Sequence, residues 1–175
     1  FHPENLGRLM AGNPRFVPCT PKGILRLLTH YDIPVSGRNV AIVGRSVIVG
    51  RPMAMLLALK TDPGNATVTL CHSGTRDLPA VTSAADIVIA AIGVPRFLGA
   101  DHLGEGAVVV DVGINRIDDP TRPKGTRLVG DVDADAARGR VSALTPVPGG
   151  VGPMTIAMLL ENTWEAMLAR EGGGA

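Results

Sequence analysis

The sequence predicts an α/β fold, a doubly wound parallel sheet, and three observations carry that expectation. Short apolar runs recur at Val40–Val43, Ala66–Leu70, Asp86–Ala91 and Ala107–Val112. Segments of helical pattern or turn residues separate the runs, as connections between parallel strands require. The first run is β-branched-rich and uninterrupted, the pattern of a strand covered on both faces. Ligands of such folds gather outside the carboxyl ends of the strands, so the loops that follow each run are where function is expected.

Taken in order, Phe1–Val17 is punctuated by Pro3, Gly7, Gly12 and Pro14 and reads as loop with at most a short helical turn. Thr20-Pro21 has the form of a helix start, a hydroxyl N-cap followed by proline. Ile24, Leu25, Leu27 and Leu28 then give an apolar face through about Tyr31; Pro34 ends the element and Ser36-Gly37 turns the chain. After the 40–43 strand come Gly44 and, after five intervening residues, Gly50, with Pro52 in the first turn of a helix. Met53, Leu56, Leu57 and the stem of Lys60 share one face of that helix. Asp62–Asn65 is a turn, and the second strand enters Cys71-His72-Ser73. A short helix is expected over Leu78–Ala85. The third strand ends in Ile92-Gly93-Val94-Pro95 and the fourth in Gly113-Ile114-Asn115-Arg116.

Ile117–Leu128 is too polar and turn-rich for a crossover helix and reads as an exposed hairpin or arm. Ala134–Arg138 is a short helix at best, and Val141–Leu144 a last short strand. Thr145–Pro153, dense in proline and glycine, suits a ligand-lining loop, although a linker between domains shares those traits. From Pro153 to about Ala169, the spacing of Ile156, Leu159, Leu160, Thr163, Trp164 and Met167 makes an amphipathic helix, with core packing the expected use of its methionines and single tryptophan. Glu171–Ala175 reads as a frayed tail.

Composition narrows the function classes. The chain has 175 residues, enough for one domain with a full core, and 45% are apolar but only 3% aromatic. Its formal charge of +1 gives no reason to invoke nucleic acid or an anionic membrane. Cys19 and Cys71 are far apart and unmotifed, which fits a reducing, cytoplasmic setting and argues against a structural zinc site. No apolar run reaches membrane-spanning length and no signal peptide is visible. A start at Phe1 rather than methionine is the expected mark of a fragment or processed product.

A strand feeding a glycine-bounded loop into a helix N-terminus makes an anion site, because free N–H groups and the helix dipole converge there. The spacing is not G-x-G-x-x-G, so a plain strand-to-helix connection remains the alternative. The second strand bears on cofactor choice. NAD sites usually place an acid at its end to bind the ribose hydroxyls. Here no acid occurs until Asp77, while Arg45 follows the first glycine and Arg76 is near Ser73. A guanidinium matches a phosphate in charge and fork geometry, which favours NADP; solvated surface charge is the alternative, weightier for Arg76. His72 is expected to be a hydrogen-bonded structural group, and Asp111 an acceptor of backbone N–H in the turn after its strand. Nothing forms a Ser/His/Asp arrangement or an acid pair, so no catalytic residue or metal ligand is assigned.

Four ordered segments carry a resemblance: Gly44-Arg45-Ser46 with Val49-Gly50-Arg51-Pro52; Thr67–Ser73; Asp111-Val112-Gly113-Ile114-Asn115-Arg116; and Pro146–Thr155. Together they resemble the bifunctional methylenetetrahydrofolate dehydrogenase/cyclohydrolase family, in its C-terminal, Rossmann-like dinucleotide-binding half. The resemblance implies oxidation of methylenetetrahydrofolate with NADP and hydrolysis of the methenyl product to the formyl form. It implies that Gly44, Arg45 and Ser46 bind the cofactor phosphates, with Ser73 near the adenosine ribose and Ile114 by the nicotinamide end. Pro148, Gly149, Gly150, Val151 and Gly152 would line the tetrahydrofolate side. The family's general-base lysine and neighbouring tyrosine, and a folate-binding aspartate just before the position of Phe1, lie in a preceding catalytic domain and are not among these residues. The implied organisation is residues 1–33 as linker and bridging helix, 34–152 as the dinucleotide-binding domain, and 153–175 as a second bridging helix and tail. Partners are then the N-terminal catalytic domain and a second copy in a homodimer. A non-catalytic NADP-binding module, or a dehydrogenase of the same fold with another substrate, are the competing readings.

Overall fold

The computed structural model describes residues 1–172. The chain opens with helices α1 (Pro3–Met10) and α2 (Cys19–His30), then strand β1 (Asn39–Val43), helix α3 (Gly50–Ala58), strand β2 (Thr67–Cys71) and helix α4 (Leu78–Ser83). Strands β3 (Ile87–Ala90) and β4 (Val108–Asp111) follow, then the hairpin of β5 (Asn115–Asp118) and β6 (Thr126–Val129). The short helix α5 (Ala134–Ala137), strand β7 (Ala143–Leu144) and the long helix α6 (Val151–Gly172) complete it.

Five strands form one sheet in the order β2-β1-β3-β4-β7, every neighbouring pair parallel. The chain moves outward from β1 to β2, then returns to β3 on the other side of β1. The strand order therefore reverses between β1 and β3, and the loops leaving these two strands diverge to open a crevice.

Alternate residues of the central strands serve two cores. Val40, Ile42, Ile87, Ile89 and Val110 pack with Ile24 and Leu28 of α2 and Met53 and Leu57 of α3. Ala41, Val43, Val88, Ala90 and Val109 face the other way, against Leu98, Leu103, Val132 and Ala137. Each such Ile, Leu or Met contributes about 1.5–3 kcal/mol by leaving water, which holds the strand ends as a rigid platform. At the sheet edge β2 buries less, with Thr67 and Thr69 exposed. The antiparallel β5–β6 ladder, from Asn115↔Val129 to Asp118↔Thr126, forms the expected arm, starting two residues earlier than the polar stretch indicates.

Several elements differ from expectation. α1 is a helix of two turns rather than a loop. The His2 ring Nδ1 accepts the Glu4 N–H at 3.3 Å, Pro3 opens the helix, and Glu4 pairs with Arg8 one turn on. Asn5 then pins the following segment through the N–H groups of Arg15 and Phe16 and the carbonyl of Phe16. α2 begins at Cys19 with Pro18 in the cap position, so Thr20 is not the cap; its hydroxyl meets that of Thr155 on α6 at 2.9 Å. Lys60 falls beyond the end of α3 and is exposed, outside the apolar face assigned to it. A single 3-10 turn at Ala100–His102 was not anticipated.

The largest departure is in α6. Its Met158 is buried, but Trp164 is 58% exposed and Met167 39%, so these two are not core residues of this chain. Only one face of α6 meets α2. There Lys22 donates to Asn162 and Glu165, both at 2.8 Å, and pairs with Glu161 at 3.2 Å. The opposite face carries Ile156, Leu159, Leu160, Trp164 and Leu168 into solvent. Glu171 and Gly172 close the helix rather than fraying; the rest of the expected tail, 173–175, lies outside the described residues.

Candidate functional site

The site is built from the loops at the carboxyl edge of the sheet. At the end of β1, Gly44 takes φ +121° and donates its N–H to the Cys71 carbonyl at the end of β2, at 2.9 Å. A Cβ here would lie 2.1 Å from the Ala91 carbonyl oxygen at the end of β3. One on Gly50 would lie 1.9 Å from the Gly44 carbonyl oxygen. Strand end, loop and helix start are thus stacked backbone on backbone, a cradle that tolerates only glycine at both places. Ser46 closes the intervening turn: its Oγ accepts the Val49 N–H at 3.1 Å and its carbonyl accepts the Arg51 N–H at 3.0 Å. Arg45 and Ser46 are left exposed at the lip.

β2 runs into a tight turn in which the Gly74 N–H donates to His72 Nδ1 at 3.0 Å, and the His72 N–H to Thr75 Oγ1 at 2.9 Å. His72 is therefore the structural group expected, and Ser73 stands exposed at the turn's tip. The first acid beyond β2, Asp77, accepts the Ala80 N–H and caps α4. That carboxylate is committed to a helix, leaving the end of β2 without a free acid to bind ribose hydroxyls. Burial pushes the Cys71 thiol up in pKa, so it stays neutral and is no thiolate nucleophile.

Two buried carboxylates organise the loops after β3 and β4. Asp111 Oδ1 accepts the N–H groups of Gly113 and Asp131, and Oδ2 that of Val132, all at 2.9 Å. Burial raises the Asp111 pKa, and these donors act against the rise. The expected bond to its own turn is there; the two to the far end of the hairpin were not foreseen. Asp131, fully buried, accepts from Ile92 N–H at 2.7 Å, Gly93 N–H at 2.9 Å and Asn115 Nδ2 at 2.8 Å. Thr145, just past β7, accepts the Asp111 N–H on its Oγ1 at 2.8 Å.

The structure brings Gly44, Arg45 and Ser46 together at β1, with Ser73 on the neighbouring strand end. Ile114 is 58% exposed beyond β4, and its Cδ1 lies 3.5 Å from where a Gly152 Cβ would stand. The loop after β4 and the proline-glycine loop are therefore neighbours. Pro148 and Gly149 are exposed on the rim and Gly150 is half-buried. The Val151 side chain points into the sheet core, leaving only its backbone to the cleft. Sequence reasoning passed over Asp131, Asn115 and Thr145. A usable signal was present in the paired Asp-Val steps at 111–112 and 131–132, one on each side of the hairpin.

The open recesses border the proline-glycine loop rather than the phosphate turn. A recess of about 830 Å³ sits between β6, α5 and β7, with Arg122, Arg127 and Arg138 on its walls. An apolar groove of about 580 Å³ runs beside Leu27 and Tyr31 of α2 and Pro153 and Met154 of α6. Neither includes Gly44, Arg45 or Ser73. Among the described residues no group of three or more His, Cys, Asp or Glu could hold a metal ion, and no helix is long and apolar enough to cross a membrane.

A parallel sheet whose strand order reverses beside a glycine-cradled strand-to-helix turn defines a dinucleotide-binding α/β domain. Comparison with known proteins agrees: residues 18–171 match the tetrahydrofolate dehydrogenase/cyclohydrolase, NAD(P)-binding domain, and the chain belongs to that family. It is 60% identical over 168 residues to the bifunctional protein FolD of Chlorobium phaeobacteroides, covering 95% of this chain and 57% of that protein. The crystal structure of the bifunctional enzyme FolD, methylenetetrahydrofolate dehydrogenase/cyclohydrolase, from Campylobacter jejuni superposes with a TM-score of 0.86 at 48% identity, over 97% of this chain and 57% of that one. The Trypanosoma brucei enzyme, complexed with NADP cofactor and inhibitor, gives 0.85 at 41% identity, over 99% and 58%. The chain thus spans little more than half the length of these relatives.

Proposed function

We propose that this chain is the cofactor-holding half of a one-carbon folate enzyme. The whole enzyme would oxidise methylenetetrahydrofolate to methenyltetrahydrofolate with NADP and hydrolyse the methenyl form to formyltetrahydrofolate. The observation that carries the reading is the Gly44-Arg45-Ser46 turn. A glycine-only cradle presents an exposed arginine beside a strand end whose nearest acid is occupied as a helix cap. The names of the relatives support the substrate and both activities.

NADP, when bound, supplies the hydride acceptor. The residues of this chain bind and orient it. Arg45 and Ser73 hold the 2′-phosphate by charge-assisted hydrogen bonds. The Gly44–Gly50 cradle lets the remaining phosphates approach the backbone at the start of α3. Ile114 and the rim from Pro148 to Gly152 form one wall of a cleft, and hold the nicotinamide and tetrahydrofolate faces in register. No residue here is assigned to proton transfer. That role falls to an N-terminal catalytic domain, for which residues 1–33 and 153–175 act as bridging segments around the 34–152 domain. The apolar face of α6 is the surface such a domain would cover. The β5–β6 arm would pack on a second copy in a homodimer, and the assembly would work in the cytoplasm.

Titration calorimetry tests the cofactor site. NADP should bind more tightly than NAD. Arg45→Ala should erase most of that preference, a loss of about 1.5–3 kcal/mol, or roughly ten- to 150-fold. Equal affinity for both dinucleotides in the unmodified chain would refute the assignment.

A further inference from the structure

The phosphate cradle lies at β1 and Ser73 at β2, so a dinucleotide anchored there must lay its other end over β3 and β4, on the far side of the switch point. Ala90 and Asp111 are paired in the β3–β4 ladder, and three residues beyond each stand Gly93 and Ile114, both exposed. The gap between these two loop residues is the seat for that far end.

One side chain bonds to both loops. Asp131 Oδ2 takes the N–H groups of Ile92 and Gly93, and Oδ1 takes the Asn115 amide, so one carboxylate grips both loops. Among the described residues no Lys, Arg or His forms an ion pair with it; the partners of its fully buried carboxyl oxygens are N–H donors. Such burial is costly unless every bond is made. Simple attachment does not need it. Backbone bonds from Arg96 N–H to Gly130 O and from Leu98 N–H to Asp131 O, both 3.0 Å, already tie the same loop down further along. The carboxylate adds its hold only at 92–93, where the loop passes over the crevice. The phosphate side does not depend on it, because Ala91 N–H is bonded to Val43 O within the sheet at 2.8 Å. Backbone has closed in around both acids. A Cβ on Gly113 would sit 2.2 Å from Asp131 Oδ1, and one on Gly130 1.8 Å from Asp111 Oδ2.

We propose that Asp131 is a positioning residue for the nicotinamide end of the cofactor, fixing the spacing of the loops after β3 and β4 through Ile92, Gly93 and Asn115. The proposal rests on the dinucleotide reading above, and the two can fail separately. Calorimetry would compare NADP with adenosine 2′,5′-bisphosphate, which has the phosphate contacts but no nicotinamide. The unmodified chain should bind both. Asp131→Asn, which replaces one of the two accepting oxygens with a donor and so breaks the grip on one loop, should weaken NADP at least tenfold and leave the bisphosphate within twofold. Asn115→Ala removes one grip and spares the two backbone bonds; it should weaken NADP about threefold, again selectively. If Asp131→Asn does not fold, Asn115→Ala decides alone. Unchanged NADP affinity in the folded variants would overturn the proposal, as would an equal loss for both ligands, which is what general damage produces. An unmodified chain that binds neither ligand would remove the dinucleotide reading itself, and this proposal with it.

Discussion

Gly50→Ala is the sharpest probe of the cradle. The residue is the first of α3 and its backbone is helical, so alanine meets no conformational objection and would gain up to about 1 kcal/mol of helix propensity. The whole cost is steric. The new Cβ would stand 1.9 Å from the Gly44 carbonyl oxygen, where ordinary contact begins at 3.4 Å, so loop and helix must part by about 1.5 Å. Overpacking costs typically 1–3 kcal/mol; a clash with fixed backbone belongs at the top of that range, leaving a net loss of about 2 kcal/mol. With a urea m-value of about 2 kcal/mol/M, the unfolding midpoint should fall by about 1 M. NADP affinity should drop at least tenfold in the same variant, since the displaced carbonyl belongs to the phosphate turn. Gly37→Ala is the control: φ is +74° but nothing lies within 4 Å of its Cβ. It should cost about 1–2 kcal/mol through backbone strain alone and leave NADP binding untouched. A Gly50→Ala protein within 0.5 kcal/mol of the parent, with normal NADP affinity, would refute the packing argument.

Three further outcomes are expected. The 175-residue chain on its own should bind NADP yet yield no methenyl absorbance with methylenetetrahydrofolate, because one wall of a cleft cannot hold reacting atoms roughly 3–3.5 Å apart; turnover surviving stringent purification would move the chemistry into this half. Deleting Asp118–Thr126 from the arm and closing the gap with a short turn should convert a dimer to a monomer by light scattering, and an unchanged mass would clear the arm of that role. Asp119 has its pKa lowered chiefly by the Thr121 hydroxyl, with Arg127 and Arg122 adding to the effect. A depressed carboxylate contributes stability above its unfolded pKa and loses it as pH falls through the folded value. Thr121→Val should therefore shift the Asp119 titration upward by NMR, and a stationary curve would show that the arginines dominate.

Sequence legibility followed physical locality. β1, β3 and β4 were readable because central strands bury both faces and need unbroken apolar runs. The cradle was readable because glycine at 44 and 50 is a local requirement of one turn. α1 was not, because its cap is a histidine ring and its stability comes from Asn5 reaching residues 15 and 16. Thr20 looked like a cap because spacing alone cannot show a partner on α6, 135 residues away. Asp131 was invisible for the same reason, since the N–H groups it serves lie 38 and 39 residues earlier. Helical periodicity correctly placed Trp164 on an apolar stripe but could not say which body covers it.

That placement gives the chain an optical asymmetry. Trp164 is its only tryptophan, and it stands on the outer side of α6, away from both cores. Its emission is therefore nearly blind to melting of the sheet, because the indole is already wet in the native state. The same indole would turn blue on contact with any apolar surface laid along the helix. Ordinary fluorescence thus separates two events that most probes merge, the loss of the fold and the arrival of a neighbour.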